Sequence, residues 1–288
     1  MLVLGAGLAI WSVADAFAAG LNIRTQRLAG PFLIPNTAAT LFGMLVALCL
    51  GGLVSRASGS RRAQAFERAG PYGGLALLFA ACLLATASRG GGLAAGAGLV
   101  AFAALLMFAG RLRWSRALLA GAAALVAGAV LLAISGDLIL DRAFGTTLAD
   151  TSRRLIFTPH WEAFAAAPVG GYGLGVFDIV NRTLLDTGNI RELWVVRAAH
   201  NVFLTWLEHT GVVGALPMFA CVGAVIALSL RGALRRQRMT AILFGLLAAD
   251  VVIVVHGLSD FALETYSMAA FWSYLLGLQF AASQSAAR

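Results

Sequence analysis

Lysine is absent from this chain, and charge of either sign is scarce. Only 12% of the 288 residues are charged against 60% hydrophobic, and the mean hydropathy is +0.86. That balance excludes a soluble domain of this length, which needs a polar surface. Without lysine, the formal charge of +8 rests on arginine alone. No basic face with interleaved aromatics appears, so the excess reads as orientation in a membrane, and no nucleic-acid partner is expected. Cysteine is rare. Cys49, Cys82 and Cys221 all fall in apolar stretches without paired ligand spacing, which argues against a disulfide framework or a zinc site. The four histidines show no HxxxH spacing, so neither a metal nor another cofactor is expected. Dyad alternation is missing as well, which argues against a membrane barrel.

What is present is a series of long apolar runs rich in Ala, Leu and Gly, suited to helices packed closely through small residues. They predict an all-α polytopic membrane protein, a single membrane domain over 1–288. The spans are 1–19, 37–54, 72–87, 91–110, 117–135, 202–230, 239–256 and 266–284. The first ends in Ala16-Phe17-Ala18, which mimics a signal cleavage site, but it lacks a positive n-region and reads as a retained helix. The sixth starts as an interfacial helix, Val202 to Thr210, and Gly211-Val212-Val213-Gly214 lets it turn into the bilayer.

Arginine sets the orientation. Loops 55–71, 111–116 and 231–238 are arginine-rich and fall on one side by helix counting, which makes that side cytoplasmic together with both termini. The other side receives loop 20–36, the turn Ser88-Arg89-Gly90, a long loop over 136–200, and loop 257–265. The long loop is nearly balanced in charge. Within it, Arg153 to Ala167 reads as an amphipathic helix ending before Pro168, and the glycines of 170–175 force a tight turn. These glycines do not follow a strand in a βαβ unit and are not a nucleotide loop. Asn181-Arg182-Thr183 matches a glycosylation sequon, a pattern common by chance.

This topology puts Arg89, Arg153, Arg154, His200, His256 and Asp260 on one membrane face. Arg89 reads either as a snorkelling interfacial arginine or as a phosphate clamp. Its guanidinium is planar and always charged, and Gly90, Gly91 and Gly92 would let a bulky anion approach. His200 is either a packed polar residue or a base able to take a hydroxyl proton near neutral pH. Asn201 and Glu208 either orient groups nearby, or Asn201 caps the helix that follows. His256 and Asp260, four apart, share a helical face if the helix continues, and read first as a structural pair or a supporting unit. Asp250, within a span, belongs to a proton path or pairs with an arginine.

Together these residues resemble the O-antigen ligase and polymerase family of bacterial membrane glycosyltransferases. Gly30-Pro31-Phe32 through Pro35-Asn36 with Ala38-Ala39 looks like the family's lead into a helix, and Ser88-Arg89-Gly90 like its Ser-Arg-Gly turn. Arg153, then Phe157 where tryptophan is usual, Pro168, and Gly171-x-Gly173-x-Gly175-x-Phe177 look like its central loop. His200-Asn201-x-x-Leu204 with Glu208, Gly211 and Gly214 is similar to its most diagnostic motif, and His256-x-x-x-Asp260-Phe261 to its closing one. Members usually carry further spans on the N-terminal side, so the chain is short there.

The resemblance implies a lipid-dependent (GT-C-type) glycosyltransferase fold in the bacterial inner membrane, multi-pass, with its site on the periplasmic face. It implies a polyprenyl-pyrophosphate-linked glycan donor, a glycan, lipid or protein acceptor, and metal-independent, inverting attack by an acceptor hydroxyl. His200, Arg89 and Arg153 would be catalytic. Arg154, Asn201, Glu208, His256 and Asp260 would bind substrate. Two other classes stand beside it. A transporter or flippase predicts internal repeats and broken helices at matched positions, and no convincing repeat is present. An inactive scaffold is made credible by the short N-terminus.

Overall fold

The computed structural model describes residues 1–20, 26–32, 34–57, 62–112, 148–236 and 239–284, with side chains left undescribed at 62–63, 65–66 and 148–154. The expected span 117–135 lies outside the described residues. Ten α-helices are described: α1 (Leu2–Ala18), α2 (Pro35–Ala57), α3 (Arg62–Ala85), α4 (Arg89–Phe108), α5 (Leu148–Ala166), α6 (Phe177–Thr183), α7 (Ile190–Leu193), α8 (Val202–Arg235), α9 (Thr240–Gly257) and α10 (Tyr266–Gln284). Short 3-10 turns occupy Gly30–Phe32 and Ala262–Glu264, and no strand occurs among the described residues. Five segments are long and apolar enough to cross a membrane: Pro35–Ala57, Glu67–Ala85, Arg89–Phe108, Val202–Arg235 and Thr240–Gly257. This all-helical architecture is that of a polytopic membrane protein. Helix α1 is apolar but shorter than these five. Helix α3 starts ten residues before the expected 72, because Gln64, Glu67 and Arg68 extend it as a polar end.

The chain divides into two compact units, each described by itself. The first comprises Met1–Gly145, Ile226–His256 and Ala270–Arg288. Its inner helices are α2 and α9, where Ala38, Phe42, Met44, Phe244, Ala248 and Val252 are all fully buried. Small residues allow the close crossing expected inside a membrane bundle. A Cβ on Gly51 would sit 2.8 Å from the Ala241 carbonyl oxygen, and one on Gly245 2.9 Å from that of Ala47. Helix α4 joins them through Gly98, whose added Cβ would meet Val252 Cγ2 at 2.6 Å. Asp250 is buried on α9 and accepts from Trp272 Nε1 at 2.9 Å and Gln279 Nε2 at 2.8 Å. These partners on α10, rather than an arginine, satisfy the carboxylate.

The second unit comprises Thr146–Val225 and Gly257–Ala269. Most of it was expected as a water-facing loop, yet it has its own core: Ile156, Phe164, Phe177, Leu193, Val196, Ala199 and Leu204. The amphipathic helix expected from Arg153 begins earlier, at Leu148. Asn181 of the sequon is 4% exposed and donates to the Leu193 carbonyl oxygen at 2.8 Å, so it packs inside.

Helix α8 departs from helical geometry at Gly211 (φ 57°, ψ −170°). Such a break frees backbone groups that have no water to turn to in an apolar setting. The glycine turn after α5 satisfies them. Tyr172 N donates to Glu208 O (2.9 Å) and Gly173 N to His209 O (2.8 Å), while Val212 N donates to Pro168 O (2.8 Å). Gly171, Gly173 and Gly175 all have positive φ, which this turn requires. An alanine Cβ at Gly211 would come within 2.1 Å of the Val169 carbonyl oxygen, in addition to the strain of its positive φ. Gly211→Ala should therefore destabilise the protein by more than the roughly 1–3 kcal/mol of backbone strain alone, read as a lower thermal midpoint in detergent.

Candidate functional site

Within the second unit, His200 immediately precedes α8. Asn201 starts the helix by accepting from Leu204 N through Oδ1 at 3.0 Å, the capping role open from the sequence. His200 itself takes a left-handed backbone, φ 54°, uncommon for a residue with a side chain and concentrated at functional positions. Its Nδ1 lies 3.7 Å from Asp260 Oδ1, with the imidazole 29% exposed and the carboxylate fully buried. Phe261 meets the ring edge-on, centroids 4.7 Å apart at 77°. A buried carboxylate beside one ring nitrogen orients the imidazole and leaves the other nitrogen for a proton transfer.

A second carboxylate, Glu264, stands in the 3-10 turn that follows. Thr205 Oγ1 lies 2.9 Å from Glu264 Oε1 and 3.1 Å from the Asn201 carbonyl oxygen. The hydroxyl has one proton and two acceptors within reach, so it donates to Glu264 or to the Asn201 carbonyl oxygen but not to both at once. Burial pushes the Glu264 carboxyl up to about 7, against the pull of the Thr205 bond and of His200, and with help from the Asp260 and Glu208 charges. Folding thus holds a proton on Glu264 that the unfolded chain releases near its ordinary value of 4.5. Stability should fall as pH rises from about 4.5 to about 7 and level off above. Glu264→Gln should flatten that limb in a series of thermal midpoints against pH.

Deeper in the same unit, His160 Nδ1 lies 2.6 Å from Glu208 Oε2, both side chains fully buried. Glu208, expected as a substrate-binding residue, makes this internal contact through Oε2. Arg153 and Arg154 lie on α5, and their side chains are outside the described residues.

The first unit holds Arg89 and His256. Arg89 is the half-buried first residue of α4, after Ser88, whose Oγ caps the helix by accepting from Gly91 N at 3.2 Å. Gly91 is not open to an anion, since a Cβ there would strike Ala39 Cβ at 2.4 Å. A Cβ on Gly92 would meet nothing within 4 Å. Arg27, which the sequence reading passed over, pins this corner. Its Nε donates to the Thr86 carbonyl oxygen at 2.8 Å and its Nη2 to Asn36 Oδ1 at 2.7 Å. His256 Nδ1 lies 2.6 Å from Thr40 Oγ1. Helix α9 stops at Gly257, so Asp260 lies beyond its end rather than on a continued helical face with His256.

A family model described as O-antigen ligase matches residues 74–219, just over half of the chain. The chain belongs to the O-antigen ligase family. No curated protein matches it. The matched segment of this O-antigen ligase family member contains Arg89, Arg153, Arg154, His200, Asn201 and Glu208, whereas His256, Asp260 and Glu264 lie beyond it. Sequence reasoning missed His160 and Glu264. The available signal was that each is an isolated polar residue near a motif, His160 seven residues after Arg153 and Glu264 four after Asp260.

Proposed function

We propose that this protein transfers a glycan from a polyprenyl-pyrophosphate carrier to an acceptor hydroxyl at the periplasmic face of the bacterial inner membrane, with both termini cytoplasmic. The observation that carries the reading is His200, held in a left-handed backbone beside the fully buried Asp260, within the family-matched helix start. His200 takes the acceptor proton while the acceptor oxygen bonds to the anomeric carbon. The bond from that carbon to the diphosphate oxygen breaks, and polyprenyl pyrophosphate leaves with its electron pair. Attack opposite the leaving group inverts the anomeric centre. Arg89 and Arg153 are assigned to the diphosphate, where guanidinium groups stabilise the growing negative charge without a metal. Arg154, Asn201, Glu208, His256 and Asp260 are assigned to substrate binding, Asp260 acting through His200 and Glu208 through the placement of its helix.

The test is incubation of membranes containing the protein with a labelled polyprenyl-pyrophosphate glycan and separate lipid, glycan and protein acceptors, with and without chelator. Labelled product in one acceptor arm, unchanged by chelator, supports the reading and identifies the acceptor class. Product that disappears with chelator contradicts the metal-independent step.

A further inference from the structure

We propose that the buried His160–Glu208 pair is a positioning clamp that sets the helix carrying Arg153 against the helix begun by Asn201. The proposal rests on the glycan-transfer reading for the importance of that spacing. His160 Nδ1 and Glu208 Oε2 are 2.6 Å apart, and both side chains are fully buried. His160 Nε2 lies 3.3 Å from Asn181 Oδ1. Asn181 donates through Nδ2 to the Leu193 carbonyl oxygen at 2.8 Å, which turns its Oδ1 toward the imidazole and makes Nε2 the donor. Phe177 stacks on the ring, centroids 4.7 Å apart and planes 15° from parallel. The ring is therefore fixed in the plane and from above.

Glu208 Oε1 is buried without a hydrogen-bond partner among the described residues. A buried polar pair with a stranded oxygen is a poor stabiliser, and apolar residues of the same volume often hold helices as tightly. What imidazole and carboxylate add is direction and register. His160 follows Arg153 by seven residues, and Glu208 follows Asn201 by seven. Two helical turns thus separate the clamp from each position, roughly 10 Å along each axis. In that interval the helices part around an apolar cleft of about 370 Å³, lined by Phe157 and Trp161 on one side and Asn201, Leu204 and Leu207 on the other. The clamp ties the two helices together at the same distance from both positions, so its geometry bears on how Arg153 and the His200-Asn201 corner stand to each other.

The experiment uses the purified full chain with Cys221→Ala, and it has two readouts. In the transfer assay, the apolar double variant His160→Phe/Glu208→Leu should keep its thermal midpoint while kcat falls about tenfold to a hundredfold, the cost of small misplacement. The exchanged variant His160→Glu/Glu208→His should recover part of that rate, and either single exchange should not. Independently, spin labels at Glu162→Cys on α5 and Val213→Cys on α8 should show a broader distance distribution in the apolar variant. An apolar variant with wild-type kcat, an exchange no better than its singles, or an unchanged distribution overturns the clamp. If the wild-type chain transfers no glycan, the transfer reading falls instead, and the width of the distribution decides the clamp alone.

Discussion

Replacing His200 with asparagine should reduce glycan transfer by about 10²–10⁴-fold, the usual contribution of a positioned general base. Asparagine is the informative replacement because His200 sits at φ 54°. Among residues with a side chain, asparagine tolerates the left-handed region well, whereas alanine would add backbone strain to the loss of the base. The imidazole is 29% exposed, so its removal leaves the core of Ile156, Phe164 and Leu193 untouched. The thermal midpoint should stay near wild type while kcat collapses. His200→Ala should lose transfer as fully and also lower the midpoint. Transfer by His200→Asn at the wild-type rate would remove His200 from the proton step.

The second large effect falls on Arg89. Arg89→Lys keeps the positive charge and loses the planar fork that bonds two phosphate oxygens together. Transfer should drop by about 10²–10³-fold, the scale seen when one preplaced donor to a developing anion is lost. The corner itself should survive, because Ser88 caps α4 and Arg27 ties Thr86 to Asn36 without Arg89. Arg27→Ala gives the contrast: it should loosen the corner and lower stability along with rate. Steady-state kinetics on the lysine variant, with donor varied, separates the two cases. A rate close to wild type would leave Arg89 as an interfacial arginine.

Much of the helical framework was legible because hydrophobic runs of membrane length have few other outcomes. The expected spans at 37–54, 91–110 and 239–256 fall within or close to α2, α4 and α9. The break at Gly211 was also legible, since two glycines flanking Val212-Val213 end a helical face. Four things were not. The charge balance of 136–200 concealed a core, because its apolar residues come from several short helices that meet only in three dimensions. The His160–Glu208 contact joins residues 48 apart, and nothing local distinguishes either from a solvated side chain. Glu264 looks like an ordinary loop carboxylate until the 3-10 turn buries it against Thr205. The Asp250 partners were missed for a related reason. A carboxylate within a span suggested a proton path or an arginine partner, whereas an indole N–H and a primary amide on α10 donate to it. In each case the sequence carried the residue types and the tertiary fold chose their partners.

The central claim is that His200 drives displacement of polyprenyl pyrophosphate by an acceptor hydroxyl. The most direct measurement follows both products at once, labelled glycan on the acceptor and free polyprenyl pyrophosphate, with purified wild-type and His200→Asn protein. The account predicts equal molar yields of the two from the wild type and neither from the variant. Donor left intact by the wild type with every acceptor class, or consumed equally by the variant, would contradict it.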